Sequence, residues 1–154
     1  MPELVTLRVN GVEYPLAIEP ERTLLTVLRE EIGLTGAKEG CDDSECGACM
    51  VLIDGRPLNS CSYLAIQAVG REVTTVEGLS EGPRLAALQE AFLAEGGVQC
   101  GFCTPGMVIS ASALLSRDPD PSEAAIREGL AGNLCRCTGY QKILRAVRRA
   151  AAAE

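Results

Sequence analysis

Eight cysteines are the residues of this chain best able to do chemistry, and no histidine is present to share that role. The first four are spaced Cys41-x4-Cys46-x2-Cys49-x11-Cys61; the others are Cys100-x2-Cys103 and, thirty-one residues on, Cys135-x-Cys137. Three chemistries compete for such sets: a disulfide framework, structural zinc, or iron–sulfur ligation. The opening run MPELVTLRVNG has no basic n-region, apolar h-region or twin arginine. A cytoplasmic location is therefore expected, which weakens the disulfide reading because cytosolic thiols stay reduced.

The C-x4-C-x2-C run with a later fourth cysteine is the plant-type 2Fe–2S ligand spacing. In GCDDSECGAC one loop can wrap a cluster, and the small residues Gly40, Gly47 and Ala48 let backbone N–H groups approach the sulfurs. Those dipoles are needed, because a cluster of two ferric ions, two sulfides and four thiolates is anionic and costly to bury without donors. Zinc usually takes two C-x2–4-C knuckles, and the single return to Cys61 fits that poorly. The second set is open between zinc and a cluster on spacing alone. Both of its pairs precede helix-start signals, where free N–H groups favour thiolates of either kind.

Without histidine there can be no Rieske centre, no histidine general base and no Ser-His-Asp triad. Asp42, Asp43 and Glu45 beside the first loop read as solvent-facing charges rather than catalytic groups. These residues point to moving electrons rather than breaking bonds.

The elements that must position the cysteines fall into two halves. LVTLRV (4–9), Asn10-Gly11 and VEYPLAI (12–18) predict a hairpin with a tight turn. Thr23 can cap a helix carrying Leu24, Leu25, Val27, Leu28 and Ile32, stopped by Gly33. MVLID (50–54) predicts a strand turned by Asp54-Gly55, followed by a short helix near 63–69 and a closing strand REVTTV (71–76). The expectation is a small mixed sheet with one packed helix over residues 1–77.

EGLSEGP has the punctuation of a linker, placed over 78–83. Residues 84–154 are expected to be all helical. The first helix is RLAALQEAFLAE, ending at Gly96-Gly97, and the second opens at Thr104-Pro105 and runs to about Leu115. Capping-box patterns at Asp120-Pro121-Ser122-Glu123 and Thr138-Gly139-Tyr140-Gln141 open the third and fourth. Each half alone would have a marginal apolar core, and each holds four cysteines to staple it.

Residues 1–80 carry six basic and thirteen acidic side chains, whereas 81–154 carry eight of each. An acidic front half does not suit a phosphate backbone, so no nucleic-acid partner is expected. No apolar run is long enough for a membrane span. The basic residues Arg136, Lys142, Arg145, Arg148 and Arg149 read either as complements to a helix C-terminus or as a docking face for an acidic partner.

GLTGAKEGCDDSECGACMVLIDGRPLNSC, VQCGFCTPGM and NLCRCTGYQKI resemble the iron–sulfur subunit of the molybdenum hydroxylases, the xanthine dehydrogenase and carbon monoxide dehydrogenase family. QCGFCTPGM with AGNLCRCTGY is similar to its 4-hydroxybenzoyl-CoA reductase branch. The resemblance covers nearly the whole chain and uses all eight cysteines. It implies an α+β chain: a plant-ferredoxin-like β-grasp domain, then a four-helix bundle of two-fold character, each carrying one 2Fe–2S cluster. It further implies a large partner subunit holding molybdenum with a pterin dinucleotide and a medium partner holding FAD, assembled as a dimer of heterotrimers. Electrons would pass through the cluster of Cys100, Cys103, Cys135 and Cys137, then that of Cys41, Cys46, Cys49 and Cys61. In the family the residue matching Gln99 contacts the molybdopterin, and the one matching Cys137 lies against the pterin. Met50 falls where the family more often has threonine. The rival reading is a free-standing ferredoxin with a zinc-stapled helical adaptor domain.

Overall fold

Val-rich alternation builds the first element: in β1 (Glu3–Val9) Leu7 and Val9 point inward while their neighbours face out. A computed structural model describes residues 1–80 and 83–153 of the chain. Asn10 and Gly11 both take positive φ (53° and 76°), the conformation a two-residue hairpin turn demands, and return the chain into β2 (Val12–Ile18). The Asn10 side chain also grips Thr75, accepting from its N–H at 2.9 Å and donating to its Oγ1 at 2.9 Å.

Thr23 caps as expected, its Oγ1 accepting from the N–H of Thr26 at 3.2 Å. Helix α1 (Leu24–Thr26) widens at once into a π turn over Val27–Glu31. Its apolar face, with Leu24, Val27 and Leu28 fully buried, packs with Leu7, Ile18 and Val51 in one core. Strand β3 (Met50–Ile53) pairs with β4 (Arg56–Asn59) across the Asp54-Gly55 turn, and β5 (Glu72–Thr74) lies between β3 and β1. The sheet order is β2-β1-β5-β3-β4, with β1 and β5 parallel and every other pair antiparallel.

Three expectations shift here. No strand is expected directly after the Asp54-Gly55 turn, whereas RPLN forms the edge strand β4, a position that tolerates Pro57. The short helix near 63–69 proves to be 3-10 turns at Ser60–Ser62 and Ala65–Ala68. The closing strand pairs only over Glu72–Thr74.

Four helices follow: α2 (Pro83–Ala94), α3 (Thr104–Arg117), α4 (Glu123–Gly129) and α5 (Gln141–Ala151). The linker expected over 78–83 begins with a 3-10 turn at Gly78–Ser80, and its residues 81 and 82 lie outside the described residues. The helices share a second core of Leu88, Phe92, Met107, Ile126, Ile143 and Val147. On the outer side of α5, Arg149 and Arg145 both reach the Glu95 carboxylate, at 3.1 and 3.7 Å, so part of the basic face is answered within the fold.

The helix starts differ from expectation in an informative way. Thr104 already lies inside α3, and Cys103, with helical φ and ψ, stands at the boundary without a side-chain cap. Ser122, not Asp120, caps α4, accepting from Ala125 N–H at 3.1 Å with its own backbone extended. At α5 the boundary residue is Tyr140 in the left-handed conformation, and no side chain caps it.

A third cluster joins the halves. Leu52 on β3, backed by Met50, packs on Ile109 and Ala113 of α3. Strand β3 is thus covered on both faces, which explains its unbroken apolar run.

Candidate metal centres

The first cysteine loop runs from Gly40 to Cys49 and is held from outside at several points. Ser44 stands at its apex with φ of 65°, and the Asn59 side chain at the end of β4 donates to the Ser44 carbonyl at 2.9 Å. At the far end Ser60, fully buried, donates to the Cys49 carbonyl at 2.6 Å, while Lys38 N–H donates to Ala48 O at 2.9 Å. Backbone N–H groups turn inward onto sulfur: that of Cys46 lies 3.4 Å from Cys41 Sγ and that of Ala48 3.5 Å from Cys46 Sγ. The small residues of this loop therefore permit the approach the sequence suggested.

The second set is gathered from two segments. Cys100 and Cys103 lead into α3, and Cys135 and Cys137 sit in the turn before α5. That turn is locked by Tyr140, whose phenol oxygen accepts from Cys135 N–H at 3.0 Å. Thr138 Oγ1 donates to Cys135 Sγ at 3.1 Å and accepts from Tyr140 N–H at 3.2 Å. Cys137 therefore does not abut a helix terminus; three residues separate it from α5, and its pair is served by turn donors instead. The Thr104 hydroxyl, next after Cys103, is buried with no hydrogen-bond partner.

In both sets neighbouring thiols act on one another, and in the second set Cys100 also acts on Cys103 and Cys135 on Cys137. Cys41 interacts directly with Cys46, and Cys49 with Cys61. Cys103 likewise meets Cys135, and Cys100 meets Cys137. Among the described residues, no three of Cys, His, Asp or Glu converge closely enough to hold one metal ion. Four thiols in each set is the number of protein donors that a binuclear cluster takes.

Burial pushes the Cys49 thiol up to about 11 and the Cys103 thiol up to about 12, the neighbouring cysteine adding to it in each case. Cys135 is moved the other way: burial acts to raise it, but the hydroxyl and N–H of Thr138, the N–H of Cys137 and the Cys103 thiol together lower it. Cys41 is lowered by the N–H of Cys46 before all else. Coordination to iron would supply the positive charge that turns the two raised thiols into thiolates.

The two loops touch. Leu134 N–H donates to Cys46 O at 2.9 Å, and Asn133 Nδ2 donates to Gly47 O at 3.1 Å. Gly47, with φ of 72°, has no room for a side chain, since a Cβ there would lie 2.2 Å from Gly132 O. Gln99, Cys100 and Cys137 are exposed, and Phe102 is 45% exposed. Sequence reasoning missed Asn59, Ser60, Ser110 and Asn133, which orient the loops. Their signal is faint: a polar residue in an apolar helix face, and an asparagine two residues before a ligand.

Sequence comparison matches residues 7–80 to a family described as a 2Fe-2S iron-sulfur cluster binding domain and residues 75–148 to one described as a 2Fe-2S binding domain. The chain is 49% identical to the nicotinate dehydrogenase small FeS subunit of Eubacterium barkeri, over 95% of this chain and 93% of that one. It is 46% identical to the xanthine dehydrogenase iron-sulfur-binding subunit of Escherichia coli, over 94% of this chain and 93% of the relative. Among solved structures, quinoline 2-oxidoreductase from Pseudomonas putida 86 superimposes with a TM-score of 0.92 at 45% identity, covering 99% of this chain and 95% of that chain. Aldehyde oxidoreductase from Desulfovibrio gigas gives a TM-score of 0.90 at 42% identity, where this fold accounts for 17% of a much longer chain. Fold and site thus define an iron–sulfur protein with a ferredoxin-like portion. The chain belongs to the family of iron–sulfur subunits of the molybdenum hydroxylases, and so is a subunit of an oxidoreductase.

Proposed function

We propose that the chain carries electrons between a molybdenum site in a large partner subunit and FAD in a medium one, or another acceptor, through two 2Fe–2S clusters. Cys100, Cys103, Cys135 and Cys137 would hold the first, and Cys41, Cys46, Cys49 and Cys61 the second. Bound clusters would supply one-electron chemistry, and this chain's residues would hold them, with the Cys46 and Ala48 N–H groups and the Thr138 hydroxyl as donors to sulfur and the loop contact setting their spacing. The observation that carries the reading is that donors turn onto cysteine sulfur in both sets, the Cys46 and Ala48 N–H groups in the first and the Thr138 hydroxyl in the second, with the two loops in direct hydrogen-bonded contact. Membership of the molybdenum hydroxylase family supports the partners, and the exposed positions of Gln99 and Cys137 support a pterin approaching from that side. The division into a β-grasp unit (1–77), a linker (78–83) and a four-helix bundle (84–154), in a cytoplasmic dimer of heterotrimers, is part of the same proposal.

Iron and acid-labile sulfide content, with EPR of the reduced protein, tests it. Two irons for each of two matched segments predicts four irons per chain and two distinguishable S = 1/2 signals. Two irons with one zinc would overturn it in favour of a zinc-stapled helical half. Co-purification with a large pterin-containing subunit then tests the assembly.

A further inference from the structure

We propose that Asn133, braced by Ser110, is a positioning residue that sets the spacing of the two cluster-bearing loops and hence the speed of electron passage between them. The inference rests on the two-cluster reading above. Asn133 is 3% exposed and Ser110, on the inner face of α3, 4% exposed. Ser110 Oγ donates to Asn133 Oδ1 at 2.6 Å, and Asn133 Nδ2 donates onward to Gly47 O at 3.1 Å. A backbone carbonyl can only accept, so the asparagine amide has one possible orientation and joins three segments in a single line.

The positions in the chain matter as much as the bonds. Gly47 lies between Cys46 and Cys49, Asn133 lies two residues before Cys135, and Ser110 is on the helix that Cys103 opens. Movement of any one of the three therefore moves a cysteine pair. The contact spans 86 residues of sequence and joins the two halves. The backbones are also pressed together here, because a Cβ on Gly106 would come within 2.2 Å of Gly47 O. The Gly47 carbonyl is thus confined sterically by α3 and held by the Asn133 amide. Alanine or leucine at 133 would leave buried polar groups unpaired, and aspartate would turn an oxygen toward that carbonyl.

The test uses the full chain with its iron and sulfide in place, in two variants, Asn133→Asp and Ser110→Ala. Two readouts follow: spin–spin splitting between the two S = 1/2 signals when both clusters are reduced, and the rate of re-equilibration after flash reduction of one. Unchanged iron content, altered splitting and a several-fold slower rate are expected, with the smaller change in Ser110→Ala. Wild-type splitting and rate in both variants would overturn the proposal. So would loss of iron from both, which would make the pair a cluster-retention device instead. Should Asn133→Asp fail to fold, Ser110→Ala decides by the same readouts. A wild-type chain without two paramagnetic clusters would overturn the underlying two-cluster reading, a separate failure visible before any variant is made.

Discussion

At Thr138 a residue type expected to start a helix serves a sulfur atom instead. Its hydroxyl faces Cys135 Sγ at 3.1 Å, and α5 begins beyond it at Gln141 without a side-chain cap. A donor to cluster sulfur stabilises the reduced, more negative state, so removing it lowers the potential. In Thr138→Val the second-half signal should therefore titrate lower by up to about 40 mV, the one-electron equivalent of a hydrogen bond worth ~1 kcal/mol. A potentiometric titration followed by EPR checks this, and the other cluster's potential should not move. Gly106 makes a second residue-scale prediction. A methyl group there would meet the Gly47 carbonyl at 2.2 Å, so Gly106→Ala should cost about 1–3 kcal/mol in unfolding measurements, as overpacked sites do.

Among the elements, the caps divide into those that local chemistry decides and those that the site decides. Ser122 is of the first kind, with extended backbone and its hydroxyl on Ala125 N–H. Ser122→Ala should lower stability by ~1 kcal/mol, read from the denaturant midpoint, with the iron signals unchanged. Thr104 and Thr138 are of the second kind, because each lies beside a cysteine pair and the pair's geometry overrides the cap. Sequence reading thus placed the four helices of the second half to within a few residues, but missed the caps at Thr104 and Thr138 beside the cysteine pairs and put the α4 cap at Asp120 instead of Ser122. The hairpin was legible because Asn10-Gly11 has the positive φ values its turn requires. Strand β4 was not, since an edge position excuses a proline that propensity counts against. The cysteine spacing made both cysteine sets visible as candidates. The residues that hold the loops, Asn59, Ser60, Ser110 and Asn133, stayed hidden because their partners are far away in sequence.

Across the whole molecule, the halves are joined by an apolar contact as well as a polar one. Ile109 is fully buried on α3 and packs on Leu52 of the sheet. Ile109→Ala should cost about 2–5 kcal/mol, the range for emptying a core site of this size. Because the lost contact lies between the halves, calorimetry is expected to show one unfolding transition for the parent and two for the variant. The seam of Gly47, Gly106, Gly132 and Asn133 also bears on how such a chain can be inherited. Its two segments match separate families and look interchangeable, like modules that recombination could shuffle. Yet the Gly47 carbonyl is fitted against a glycine and an asparagine that the other segment supplies. A hybrid joining the first segment of one relative to the second of another would work only where all four residues arrive as a matched set. Exchanging one segment between relatives is therefore expected to fail unless the residues of this joint are exchanged with it.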